Sequence, residues 1–222
     1  MAITPEQYLT DAFHQYYYHH LGWDQNAWQG FQIKQCPFDL MVYQSLIFDL
    51  RPQAIVQTGV AGGGSLLYFA HLLDLQGAGP EALVIGLDLA LSPEAKSLRH
   101  PRIRLLAGNS ADPALIDVVK ALLPIGPRLV SLDSDHSAAH VGAELALYSP
   151  LLAPGDYLVV EDTNLNGNPV YRQFGPGPHE AVRAFLSQNP HFRSRDALWK
   201  NHLFSFHTWL ERVTEPEFET KL

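Results

Sequence analysis

From residue 54 onward the chain alternates short apolar runs with stretches of helical pattern, and most of the runs close on a glycine or an acid. Ala54–Thr58 stops at Gly59, Leu83–Asp88 ends in its own carboxylate, and Ile103–Ala107 precedes Gly108, Asn109 and Ser110. Leu129–Asp133 and Tyr157–Glu161 end in acids again. Helical patterns over residues 66–75, 113–123 and 138–148 fill the gaps. Strand, helix and strand at this spacing imply right-handed crossovers, which build a parallel sheet with helices on both faces. A helix over 178–186 and two last strands, Phe192–Arg195 and Leu203–Phe206 with a turn near Lys200 and Asn201, complete the pattern. The expected fold is therefore α/β and Rossmann-like, a mostly parallel seven-stranded sheet. The first ~50 residues read as a helical, aromatic extension, with one helix over 38–50 that stops before Pro52. This gives an extension over 1–50, a main domain over 51–210 and a charged, loosely held tail over 211–222.

Composition narrows the function. The 222 residues are 46% hydrophobic, enough for an ordinary core in one domain. The formal charge is -8 and no segment is rich in Lys and Arg, so nucleic acid is not an expected partner. One cysteine, Cys36, excludes an internal disulfide and a cysteine zinc site. No apolar run approaches the ~20 residues of a membrane span, and the first residues lack the pattern of a signal peptide. A cytoplasmic protein without a membrane partner is the expectation.

Open parallel sheets bind ligands beyond the carboxyl ends of their strands. There the sequence places Gln57-Thr-Gly59-Val-Ala-Gly-Gly63-Gly-Ser65, a glycine-rich turn ahead of a helix. Such a turn lets a ligand approach the backbone and offers it free N–H groups. Asp88, at the end of the second strand, suits ribose hydroxyls. A dinucleotide site requires G-x-G-x-x-G, and Gly59, Ala61 and Gly64 supply only its first and last glycines, which favours S-adenosylmethionine over NAD.

The fourth strand ends in Asp133-Ser-Asp135-His136 and the fifth in Glu161-Asp162-Thr163-Asn164. Adjacent parallel strands bring these carboxylates to one rim. Crowded carboxylates repel one another unless a cation joins them, and an all-oxygen set suits magnesium or another hard divalent ion.

With these motifs the chain resembles the cephalosporin hydroxylase family, whose members have the class I methyltransferase fold. The matching segments include Trp28-Gln-Gly30, Pro37-Phe-Asp39, the glycine loop, Ala107-Gly-Asn-Ser110, Leu132-Asp-Ser-Asp-His136 and Gly155-Asp-Tyr-Leu-Val-Val-Glu-Asp-Thr163. The resemblance implies an S-adenosylmethionine-dependent, divalent-metal-assisted O-methyltransferase, similar to the sugar and catechol enzymes. It implies that Gly59, Gly63 and Ser65 hold the methionine end of the cofactor, Asp88 its ribose and Ser110 its adenine. It gives Asp133 to the cofactor site and, with Glu161 and Asp162, to the metal. It makes His136 the general base for a hydroxyl of a small acceptor. Gln57 stands where the family usually has an acid, which bears on how tightly the cofactor is held.

The long loop over 164–177 follows the acidic rim directly and reads as a lid. Asn164, Asn166, Asn168, Tyr171 and Arg172 favour a sugar or another polyol as acceptor. Two rival functions are open to this sequence. A mononuclear iron oxygenase would use His136, His140 and Asp133 as a facial triad. A non-catalytic cofactor-binding subunit is the other, suggested by Gln57. The N-terminal aromatics either make a contact in a homo-oligomer or cap the sheet within one chain.

Overall fold

The structure is a computed structural model that describes residues 3–216. Its centre is a seven-stranded sheet of β3 (Ala54–Thr58), β4 (Leu83–Asp88), β5 (Ile103–Ala107), β6 (Arg128–Leu132), β7 (Tyr157–Val160), β8 (Phe192–Ser194) and β9 (Thr208–Arg212). Their order across the sheet is β5-β4-β3-β6-β7-β9-β8. β3 to β7 run parallel, and β9 lies antiparallel between β7 and β8. The chain steps outward from β3 to β5 and then returns to lay β6 on the other side of β3. The crevice between the ends of β3 and β6 is thus the switch point at which such sheets take a ligand.

Successive strand residues face opposite sides of the sheet, and the two apolar clusters sort accordingly. Ile55, Val84, Leu129, Val159 and Trp209 belong to one cluster. Val56, Ile85, Val130, Leu158 and Leu210 belong to the other. The first side is covered by α2 (Pro37–Leu50) and α3 (Gly64–Leu75), through Tyr43, Ile47, Phe69 and Leu73. The second is covered by α5 (Pro113–Leu122), α6 (Ala138–Tyr148) and α7 (Pro178–Leu186), through Ile116, Val119, Leu145 and Val182. Burial on both faces explains why β3, β4, β6 and β7 read as continuous apolar runs, whereas the edge strand β5 carries the exposed Arg104. Ser137 and Asp112 cap α6 and α5 by accepting the N–H groups of His140 and Ala114.

The N-terminal segment packs on this body. α1 (Pro5–His19) starts at the Thr4 cap. Tyr18 joins a third cluster with Cys36, Leu165, Val170 and Phe206, flanked by Phe13, Tyr17 and Trp23. The aromatics therefore cap one end of the sheet within the chain. A two-stranded hairpin, β1 (Ala27–Trp28) and β2 (Phe31–Gln32), and the short α4 (Pro93–Ser97) complete the elements ahead of β5.

Two expectations at the C-terminal end are corrected. Leu203–Phe206 is not a strand: α8 (Asp196–Leu203) occupies the place of the expected turn, and Phe204 ends it in the left-handed conformation. Phe204 and Phe206 face Phe13 of α1, which uses their apolar surface there and not in the sheet. The last strand begins at Thr208, where Asp196 accepts the Thr208 hydroxyl (3.1 Å) and the Trp209 N–H (2.9 Å). Residues 211–212 are consequently strand and Val213 is buried, so the segment expected as a tail begins inside the sheet. Residues 217–222 of that expected tail lie outside the described residues. Among the described residues no helix is long and apolar enough to cross a membrane.

Candidate active site

A cleft of about 760 Å³ opens over the carboxyl ends of β3, β4, β6 and β7. Its floor is the glycine loop. Gly59 has φ of +77°, and a Cβ there would lie 1.9 Å from the Asp133 carbonyl oxygen, so only glycine lets β3 pass this close to the end of β6. The Asp88 carboxylate organises the loop, accepting the N–H groups of Val60 (2.9 Å), Ala61 (3.3 Å) and Ala90 (3.0 Å). Ser65, in the first turn of α3, lines the cleft, whereas Gly63 supplies the left-handed turn ahead of that helix.

Gln57 lies buried at the loop's edge. Its amide Nε2 donates to the Gly59 carbonyl at 2.8 Å, while its Oε1 is buried without a partner. A buried acceptor left open beside a ligand cleft is what an ammonium group would satisfy. The neutral residue at this position therefore fits the amino end of S-adenosylmethionine. At the other end Ser110 is buried, with its hydroxyl 3.0 Å from His140 Nε2.

Beyond Gly59 stand Asp133, His136 and Asp162. One ligand atom from each lies within 4.8 Å of the others. His136 presents Nε2 to Asp133 Oδ1 at 3.4 Å and Nδ1 to Asp162 Oδ2 at 3.6 Å. Burial alone would lower the imidazole pKa, but Asp133, Asp162 and Glu161 outweigh it and hold the group at about 9. Asp133 is pushed well above the usual carboxylate range by its burial and then by the charge of Glu161. Two carboxylates that converge with an imidazole within 4.8 Å of one another fit a hard cation.

Glu161 sits differently from its expected partners. Its Oε1 accepts the hydroxyls of Tyr43 (2.7 Å) and Ser131 (2.6 Å), and its Oε2 accepts the Gln35 amide. It faces the cleft from behind the other two carboxylates and is outside the three-residue cluster. His207 lies 3.4 Å from Glu161 Oε2, and its Nδ1 accepts the Asp162 N–H at 3.1 Å. His207 is backed by Asp39, which burial raises to about 6 against the lowering effect of His207. Tyr18, Gln35, Tyr43, Asp39 and His207 were not singled out as site residues from the sequence. Asp39 ends a matching segment of the resemblance and Gln35 lies two residues ahead of its start, the one available signal. His207 has none, because it stands alone between Phe206 and Thr208, outside any motif.

The facial triad is not formed. His140 bonds Ser110 and lies 3.5 Å from the buried Glu144, apart from the acidic cluster. That cluster, among the described residues, holds one histidine. The loop over 164–177 does border the cleft, through Leu165, Tyr171 and Phe174. Asn168 donates to the Leu165 carbonyl and Asn166 to Glu180 at the start of α7, whereas the buried Asn164 side-chain amide has no hydrogen-bond partner. The surface it turns to the cleft is mostly apolar.

A sheet with strand order 3-2-1-4-5-7-6, counted along the chain, with a glycine loop and an acid at its first two strand ends, defines a class I S-adenosylmethionine-dependent methyltransferase. The family model described as "Rhamnosyl O-methyltransferase/CmcI" matches residues 20–213, and the chain belongs to that family. It is 36% identical over 204 residues to the rhamnosyl O-methyltransferase of Mycobacterium tuberculosis (strain ATCC 25618 / H37Rv), covering 90% of this chain and 82% of that one. The enzyme of the same name from Mycobacterium leprae (strain TN) is 34% identical over 192 residues, covering 86% of this chain and 83% of its own. The solved structure of CmcI with Mg and SAM superposes with a TM-score of 0.66 at 25% identity, covering 86% of this chain and 78% of that one. The chain is an S-adenosylmethionine-dependent O-methyltransferase.

Proposed function

We propose that the protein methylates a sugar hydroxyl, with His136 as the general base and Asp133, Asp162 and Glu161 holding the cation. The observation that carries this reading is the His136 imidazole between two half-buried carboxylates, in the same cleft as the open Gln57 acceptor. When bound, the cofactor supplies an electrophilic methyl group and the cation acidifies a hydroxyl next to it. Asp133 and Asp162 would be its principal holders, with the remaining lone pair of Glu161 Oε2 behind them. Gln57 Oε1, the glycine-loop N–H groups and Ser65 would bind the methionine end, Asp88 the ribose and Ser110 the adenine side.

His136 Nε2 is buried, with the Asp133 carboxylate at 3.4 Å as its nearest acceptor, and it is the nitrogen that would take the acceptor's proton once the ring is neutral. The carboxylates that now keep His136 protonated lose that hold once their charge is engaged elsewhere, and burial then favours the neutral imidazole a base needs. The acceptor oxygen gives its proton to His136 Nε2 and gains the methyl carbon, while the C–S electron pair stays with sulfur. Tyr171 and Phe174 border the acceptor end and suit the apolar C–H face of a sugar ring. The relatives' names make a rhamnoside the first acceptor to try.

Calorimetric titration with S-adenosylmethionine and with NAD, then turnover on a rhamnoside with Mg2+ or with a chelator, test the reading. Binding of the methyl donor and chelator-sensitive methylation support it. NAD binding with no response to the methyl donor, or turnover indifferent to chelator, refutes it.

The same reading has the enzyme acting in the cytoplasm, where the methyl donor is made; cell fractionation tests this. Self-association through the N-terminal face belongs to it too, supported by exposed Leu9 and Tyr16 on α1 and Met41 and Phe48 on α2. Light scattering that gives a monomer's mass removes it.

A further inference from the structure

α1 lies outside the sheet, yet it reaches the acidic cluster. Tyr18, next to its last residue, is buried, and its hydroxyl donates to Asp162 Oδ1. Asp162 is an unusual residue to find there, because its φ of +53° puts a non-glycine residue in the left-handed region. Such a conformation persists where neighbours hold it, and it concentrates at functional sites. Two side chains hold Asp162, beside the bond its carbonyl accepts from the Leu165 N–H. His207 Nδ1 fixes its backbone N–H, and Tyr18 fixes one carboxylate oxygen. That leaves Oδ2 directed toward His136. The Tyr18 ring is itself clamped, edge-on to Phe206 at 5.2 Å and to Tyr171 of the 164–177 loop at 5.7 Å.

Resting on the reading of Asp162 as a cation holder, we propose that Tyr18 is a positioning residue for Asp162, and that cation binding and the docking of α1 are coupled through this hydroxyl. Without it the carboxylate rotates, and the oxygen that faces His136 is no longer presented in one direction. The coupling runs both ways. If docked α1 helps the carboxylate hold a cation, the bound cation must by the same free energy hold α1 in place. The N-terminal helix is then a part of the metal site, and its end packs against the loop that borders the acceptor.

Two measurements test this. Tyr18→Phe keeps the ring and its packing and removes only the hydroxyl. Calorimetric titration with Mn2+ should show affinity about 10–100-fold below wild type, the usual effect of losing a partner that orients a ligand. Hydrogen exchange across residues 5–19 of the wild type should slow when Mg2+ is added, and in Tyr18→Phe it should not respond. Equal Mn2+ affinity in the two proteins overturns the proposal. So does wild-type exchange in α1 that ignores the cation, a result available even if the variant folds poorly. A wild type that binds neither Mn2+ nor Mg2+ overturns it together with the cation role of Asp162, which separates that failure from a failure of Tyr18 alone.

Discussion

His136 stands where its proton is held by two carboxylates and disfavoured by burial, so its role can be separated from theirs by substitution. In His136→Ala, turnover on the acceptor should fall by roughly 10²–10⁴-fold, with the affinity for S-adenosylmethionine nearly unchanged. Single-turnover kinetics beside calorimetry read both, and unchanged turnover would remove the base from the mechanism. Asp88 should behave differently. Its carboxylate accepts three backbone N–H groups of the loops at the floor of the cleft, so Asp88→Ala disorders that floor as well as losing its own contact to the ligand. Charge-assisted bonds are worth ~1.5–3 kcal/mol, so cofactor affinity should drop by at least tenfold; wild-type affinity in this variant would show that Asp88 neither shapes nor touches the site. The sequence revealed which acids end which strands, because a parallel sheet puts its strand ends on one rim. It did not reveal which oxygens are free. The engagement of Glu161 by Tyr43, Ser131 and Gln35 depends on residues up to 126 positions away, and no local spacing encodes that. The open Oε1 of Gln57 was likewise hidden, and it turns an apparent defect of the loop into a fitting acceptor.

Among the elements, α1 has a titratable anchor. His14 is buried, its Nε2 donates to the Phe204 carbonyl at 3.0 Å, and its Nδ1 is buried without a partner. Burial lowers its pKa from 6.5 to about 3. A depressed folded value means that the neutral form is favoured in the fold. The contribution is therefore complete above 6.5 and is lost as pH falls from there toward about 3. By pH 5 the loss is roughly 2 kcal/mol, and it falls on the docking of α1. Trp23 fluorescence followed from pH 7 to 4 should show α1 loosening in the wild type. His14→Gln, which keeps a donor for Phe204 and cannot be protonated, should flatten the curve; superimposable curves would exclude His14 as the cause. The elements that were misread share one physical reason. Leu203–Phe206 has strand-like alternation, but its aromatic side chains find Phe13 on α1, and Asp196 starts a helix where a turn was expected. Tertiary contacts decided both outcomes. β3, β4, β6 and β7, buried on both faces, were legible because short apolar runs bounded by turn residues suit a sheet interior.

For the whole molecule, β9 is the element whose loss the fold tolerates least. It lies between β7 and β8 and carries Trp209, which has no exposed surface. A chain ended at residue 206 should lose cooperative thermal unfolding, as followed by circular dichroism; a sharp transition near the wild-type temperature would show that β9 is dispensable. Ligands should act in the opposite direction. S-adenosylmethionine with Mg2+ at about 100 times its Kd should stabilise the protein by about 2.7 kcal/mol, visible as a raised Tm that disappears with chelator if the two bind together. The fold class was legible at this scale from strand spacing alone, whereas the position of the last strand was not. That strand's neighbour, His207, has a meaning in time as well as in space. It fixes the N–H of Asp162 from 45 residues further along the chain. Synthesis proceeds from the N-terminus, so a nascent chain halted before residue 207 has made every acid of the cluster and still lacks the group that bonds the Asp162 N–H. Under the proposed cation role of Asp162, metal capture waits until residue 207 has been made and has docked.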